Sequence, residues 1–108
     1  MDKTGYVYTL LLEDNCYYVG YSQDAQVRIC SHFLGAGSKW TILHKPKEII
    51  EITQGDTTWE TLKTLALMCK HGFEKVWGGS YTKIEMKEPA CLKKAKHYAT
   101  YYKGDSND

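Results

Sequence analysis

The sequence predicts one small α/β domain of the α+β kind, with a sheet flanked by helices. Two runs near the N-terminus are rich in β-forming residues, and two later segments combine helical spacing with capping residues. The 108 residues are 43% hydrophobic and 25% charged, which is typical of a folded globular chain with one core. We expect a single domain over residues 1–104 and a polar tail at residues 105–108.

The N-terminal third is predicted to form a β-hairpin followed by a helix. Its strands are expected at residues 5–12 and 16–21, because turn-forming Glu, Asp and Asn at 13–15 separate them. Asp24 favours the start of a helix that ends near Leu34, before a glycine-rich stretch. The residues expected on one face of this helix are Val27, Cys30, Ser31 and Leu34.

The rest of the chain predicts a third strand and two further helices. A basic loop runs through residues 39–47, and the alternation of apolar and polar residues at 48–53 predicts the strand. Thr57 and Glu60 form a capping-box pattern that opens a helix ending at Gly72. The last expected elements are an extended piece up to Met86 and a helix that begins at Pro89.

Charge and cysteine usage restrict the classes of function. The formal net charge is +1, so nucleic-acid binding would depend on where the positive charges lie. Arg28 is the single arginine among fourteen basic residues, and a guanidinium can bind a phosphate through two hydrogen bonds. The chain lacks a CxxC pair, a signal-peptide pattern and an apolar run of membrane-spanning length. We therefore expect an intracellular protein with reduced thiols and no membrane contact.

Two tyrosines, an arginine, a histidine and a glutamate occur in a defined order along the chain. The first predicted strand carries Tyr-Val-Tyr at 6–8, and the second carries Tyr-Val-Gly at 18–20. Arg28 lies ten residues after the tyrosine of the second tripeptide, and His32 shares its helical face. Glu60 lies in the first turn of the second long helix.

This pattern resembles the GIY-YIG nuclease family over roughly residues 5 to 82. Stretches at 37–41 (Gly-Ser-Lys-Trp-Thr) and 76–81 (Val-x-Gly-Gly-Ser-Tyr) also look like small family members. The first tripeptide lacks the family's initial glycine, and Trp77 stands where similar members have an arginine. The resemblance implies a three-stranded antiparallel sheet flanked by helices and a metal-dependent endonuclease that cuts DNA.

The resemblance also implies a role for each residue of the pattern. Tyr8 would be the general base or would orient the water, with Tyr18 beside it. Because a tyrosine is only about 0.1% ionised at pH 7, Tyr8 needs a neighbour that takes or shares its proton, and the metal ion and His32 are the candidates. Arg28 would bind the scissile phosphate, and Glu60 would hold Mg²⁺ or Mn²⁺.

The expected partner is duplex or branched DNA. Besides Arg28, the candidate contacts are Lys39, Trp40 and Lys45 of the basic loop. A domain of this size offers little surface for reading many base pairs, so selectivity would come from a partner chain, a dimer or the structure of the DNA.

Several alternatives remain open from the sequence alone. Glu60 could serve only to cap its helix, in which case Glu51 is the next metal candidate. Trp77 and Tyr81 could stack on a base or pack beneath the sheet. The whole chain could be a non-catalytic module that keeps the fold and binds DNA or protein.

Overall fold

The part of the chain that the structure describes forms one sheet with helices on both faces. The computed structural model describes residues 4–79, 81–82 and 87–93. Within these residues the strands are β1 (Tyr6–Leu12), β2 (Tyr17–Ser22), β3 (Pro46–Gln54) and β4 (Val76–Gly78). The helices before residue 80 are α1 (Ala25–Phe33), α2 (Lys39–Leu43) and α3 (Thr57–His71). The predicted α/β class is confirmed.

The described sheet has one strand more than predicted. Its order is β3-β1-β2-β4, and β1 pairs antiparallel with both β2 and β3 as expected. However, β4 pairs parallel with β2, with Trp77 opposite Tyr18. The three predicted strands therefore pair as expected, and the prediction was wrong in strand number because it did not include β4. The helical connection through α3 allows this parallel return.

Two clusters of buried side chains fill the space on either side of the sheet. Tyr8, Leu10 and Leu12 of β1 pack with α1 and α2 on one face. Met68 of α3 packs with Val76 of β4 on the other face. The alternation of side chains along each strand produces this division, because successive residues point to opposite faces.

The buried face of α1 differs from the predicted one. Ala25, Ile29 and His32 are buried, whereas Val27 is 64% exposed and Leu34 is 84% exposed. Both sets of residues have helical spacing, so periodicity alone does not choose between them. The structure buries the set containing His32, because other parts of the chain supply hydrogen-bond partners for its ring.

The predicted basic loop contains the short helix α2. Ser38 caps it by accepting a hydrogen bond from the backbone N–H of Thr41 at 3.4 Å. The predicted tail at residues 105–108, the extended piece up to Met86 and most of the helix from Pro89 lie outside the described residues, although residues 90–93 are helical. In the described part, no helix is both long and apolar enough to cross a membrane.

Candidate active site

The register of the hairpin brings the two motif tyrosines onto one face of the sheet. Tyr8 on β1 lies opposite Gly20 on β2, and Tyr18 lies on β2 two residues before Gly20. The phenol of Tyr8 occupies the space where a side chain at Gly20 would begin, since a Cβ atom there would overlap the ring. The glycine of the second tripeptide is therefore needed for the phenol to lie across β2. The ring centroids of Tyr8 and Tyr18 are 6.3 Å apart.

His32 joins the tyrosine pair from α1. Its Nε2 atom is 2.9 Å from the hydroxyl oxygen of Tyr8, and its ring centroid is 4.8 Å from that of Tyr18. Its Nδ1 atom is 3.0 Å from Oγ1 of Thr41 on α2. The imidazole is 0% exposed. His32 is therefore a buried group with both ring nitrogens hydrogen-bonded.

Arg28 lies one helical turn before His32 and is partly exposed. Burial raises the pKa of both Tyr8 and Tyr18, and the positive charge of Arg28 offsets part of that rise. Its Nη1 atom is 3.5 Å from Oγ of Ser31, and hydrogen bonding from the guanidinium to the two phenols contributes to its effect on their pKa values. The guanidinium thus lies beside the tyrosines and keeps donors for an anionic group.

Burial shifts the pKa values of the paired groups so that both are neutral near pH 7. Desolvation raises the pKa of Tyr8 well above its usual range, and the neighbouring Tyr18 raises it further. Burial, with a smaller contribution from the charge of Arg28, lowers the pKa of His32 to about 4. The pair is therefore a phenol hydrogen-bonded to a neutral imidazole.

Glu60 lies at the start of α3 and does not cap it. Asp56 is the N-cap residue, and its Oδ1 atom accepts a hydrogen bond from Trp59 N at 3.0 Å. The predicted capping box beginning at Thr57 was therefore wrong by one residue. The pKa of Glu60 is raised, because partial burial disfavours its charged form. A hydrogen bond from the backbone amide of Gly79 offsets part of this rise.

An open cavity of about 520 Å³ adjoins the Glu60 carboxylate. Its other lining residues are Thr57, Thr58, Thr61, Leu62 and Gly79. The charge of Glu60 raises the pKa of both Tyr8 and Tyr18, which indicates that the carboxylate lies near the two phenols. The structure thus brings all five residues of the sequence pattern into one region.

The carboxylate of Glu60 is the kind of oxygen ligand that a hard divalent cation prefers. No group of three or more His, Cys, Asp or Glu residues that could hold a metal occurs among the described residues. Mg²⁺ can be held by one carboxylate, with waters and substrate phosphate oxygens as its other ligands. Glu51, the other candidate, forms an ion pair with Lys63 at 2.8 Å. Glu60 is the better candidate of the two.

The lysines of the basic loop are on the surface, whereas its tryptophan is buried. Lys39 and Lys45 are both exposed: Lys39 is the first residue of α2, and Lys45 lies two residues after its end. Trp40 is 5% exposed, donates its indole N–H to the carbonyl oxygen of Tyr17 at 2.9 Å and stacks on Trp77. This burial corrects the expectation that Trp40 contacts DNA, and it assigns Trp77 to the packing of the sheet.

Comparisons with known proteins agree with this geometry. A family model described as the GIY-YIG catalytic domain matches residues 4–88. A UPF0213 protein of Staphylococcus saprophyticus is 36% identical over 63 residues, which are 58% of this chain and 76% of the relative. A UPF0213 protein of Streptococcus pneumoniae is 38% identical over 50 residues, which are 46% of this chain and 50% of the relative. No solved structure matches the chain. The match over most of its length shows that the chain belongs to the GIY-YIG catalytic domain family.

Proposed function

We propose that this chain is a metal-dependent endonuclease that hydrolyses phosphodiester bonds in duplex or branched DNA. The observation that carries the proposal is the buried hydrogen bond between Tyr8 and His32, which lies beside the only arginine of the chain. Family membership supports nuclease chemistry, since the match to the GIY-YIG catalytic domain spans all the residues of this cluster.

Arg28 is the proposed anchor for the scissile phosphate. Its planar guanidinium can donate two parallel hydrogen bonds to phosphate oxygens and can stabilise the charge that develops as the bond breaks. Tyr18 lies next to it and would position the phosphate or the water. Lys39 and Lys45, both exposed, would contact neighbouring phosphates of the backbone.

Tyr8 and His32 are proposed to activate the attacking water together. The Tyr8 oxygen takes a proton from water while the Tyr8 proton passes to Nε2 of His32. The water oxygen forms a bond to phosphorus, the phosphorus–oxygen bond of the leaving nucleotide breaks, and that oxygen takes a proton from solvent.

Burial raises the pKa of Tyr8 and so prevents it from acting as a free phenolate base, but coupling the two proton transfers removes the need for a phenolate. The raised pKa of Tyr8 excludes a free phenolate near neutral pH, so Tyr8 must give up its proton as it receives one. Burial is the main reason that a protonated His32 is disfavoured, and the charge of Arg28 adds to it; an anionic phosphate at Arg28 would offset that second contribution.

Glu60 is the proposed metal ligand, with the phosphate oxygens of the substrate as further ligands. When bound, Mg²⁺ or Mn²⁺ would neutralise part of the charge on the reacting phosphate. The half-buried carboxylate beside an open cavity gives such an ion access from solvent.

Cleavage assays with matched carboxylate variants test the proposal. The protein is incubated with plasmid, branched and single-stranded DNA, with Mg²⁺, with Mn²⁺ or with a chelator. Cleavage is expected only with a divalent cation, and Glu60→Gln should abolish it. Glu51→Gln is the control, because it removes a carboxylate that is already paired with Lys63. DNA binding without cleavage under every condition would favour a non-catalytic binding module, and a fully active Glu60→Gln would exclude Glu60 as the ligand.

A further inference from the structure

A second buried hydrogen bond extends the Tyr8–His32 pair into α2. Nδ1 of His32 is 3.0 Å from Oγ1 of Thr41, and that oxygen is 2.9 Å from the carbonyl oxygen of Ser38. Thr41 is 1% exposed. Because water has almost no access to these groups, the protein's own donors and acceptors determine which atom carries each proton along the chain of hydrogen bonds.

The positions of these protons follow from the chemistry of the groups. A carbonyl oxygen only accepts, so the 2.9 Å bond to the Ser38 carbonyl takes the single hydroxyl hydrogen of Thr41, and in the 3.3 Å contact with the Ser38 hydroxyl the serine is then the donor. Oγ1 of Thr41 can then only accept from His32, which requires the neutral imidazole to carry its proton on Nδ1. Nε2 is left with a lone pair, and the Tyr8 hydroxyl donates to it.

The chain around α2 is shaped to keep this contact. A Cβ atom at Gly37 would overlap Nδ1 of His32 and would lie 2.8 Å from Oγ1 of Thr41. The absence of a side chain there leaves room for the hydrogen bond between the two residues. Ser38 also accepts from the backbone N–H of Thr41, which fixes the first turn of the helix. The ring of His32 is therefore enclosed by the segment that holds its Nδ1 partner.

We propose that Thr41 is a positioning residue for the cleavage reaction, which it serves by holding His32 in the tautomer whose Nε2 accepts the Tyr8 proton. With the opposite tautomer, Nε2–H would point at the Tyr8 oxygen and no acceptor would remain for the phenol proton. The inference rests on the proposed nuclease function for its kinetic consequence, but the tautomer itself is a property of the protein without metal or substrate. It adds a residue to the site that the motif spacing does not reveal.

The matched variants Thr41→Val and Thr41→Ser separate this role from packing. Valine keeps the branched shape without the hydroxyl, and serine keeps the hydroxyl without the methyl group. Long-range ¹H–¹⁵N NMR spectra of the metal-free protein report the tautomer, and His32→Gln identifies the signals of His32. We expect the parent and Thr41→Ser to carry the proton on Nδ1, and Thr41→Val to lose that preference.

Cleavage kinetics form the second arm. We expect Thr41→Val to lower kcat by about 10–100-fold with little change in KM, as for the loss of a residue that orients a reacting group, and Thr41→Ser to recover most of the rate. Parental protein protonated on Nε2 would overturn the inference, whether or not DNA is cut. So would a Thr41→Val variant with the parental tautomer and the parental kcat. If the parent does not cut DNA, the proposed function fails, while the NMR arm still decides the tautomer.

Discussion

Lowering the pH from 7 to 4 is expected to destabilise this protein through His32. The imidazole is 0% exposed, and burial together with Arg28 lowers its pKa from 6.5 to about 4. In the unfolded chain His32 binds a proton below about pH 6.5, whereas the folded protein resists that proton until about pH 4. The free energy of unfolding is therefore unaffected by His32 above pH 6.5 and decreases as the pH falls through this window. The loss from this residue is about 2 kcal/mol at pH 5 and about 3 kcal/mol at pH 4.

Urea unfolding at several pH values, followed by circular dichroism, measures this effect. Other carboxyl and imidazole groups contribute to the pH dependence, so the informative quantity is the difference between the parent and His32→Gln. The variant lacks the titrating group and loses hydrogen bonds, so it should be less stable at pH 7. The difference should shrink by about 3 kcal/mol between pH 7 and pH 4. A difference that stays constant over this range would refute the account of His32 as a buried, neutral group.

Three further predictions concern the motif residues. Arg28→Lys should lower kcat/KM nearly as much as Arg28→Ala, by about 10²–10³-fold, because an ammonium group cannot make the two-point contact; a fully active lysine variant in cleavage assays would contradict this. Gly20→Ala should displace the Tyr8 phenol, with a loss of about 1–3 kcal/mol in urea unfolding and slower cleavage; unchanged values would show that β2 tolerates the extra atom. Tyr8→Phe should slow cleavage by about 10²–10⁴-fold and Tyr18→Phe by less; the reverse order in single-turnover rates would exchange the two roles.

The elements that sequence predicted well are those with local signals. The strands expected at 5–12 and 16–21 are found at Tyr6–Leu12 and Tyr17–Ser22. The turn residues between them indicate where the first strand ends and where the second begins. The strand Val76–Gly78 has three residues, and its partner β2 lies more than fifty residues earlier in the chain. No local periodicity marks a pairing of that kind, so the parallel edge of the sheet could not be predicted.

The candidate site shows the same division between local and non-local information. Motif spacing selected residues that the fold brings together, but it gave no indication of the partner that completes the buried chain of hydrogen bonds. Thr41 belongs to the stretch 37–41 that resembles small family members, but its role is recognisable only once α2 folds against His32. Trp40 was misjudged for a related reason: it follows Lys39 in a segment with several lysines, yet its indole packs on Trp77, a residue distant along the chain.

The stacked indoles that fix α2 also give the protein a built-in optical signal. The rings of Trp40 and Trp77 have centroids 5.2 Å apart and planes inclined by 14°, close enough for their electronic transitions to couple. Such coupling produces circular dichroism bands that depend on the relative orientation of the two rings. Because Thr41 follows Trp40 directly, the same short helix carries both the chromophore and the hydroxyl that binds His32. The docking of α2 can therefore be followed in real time during refolding, before any DNA or metal is added.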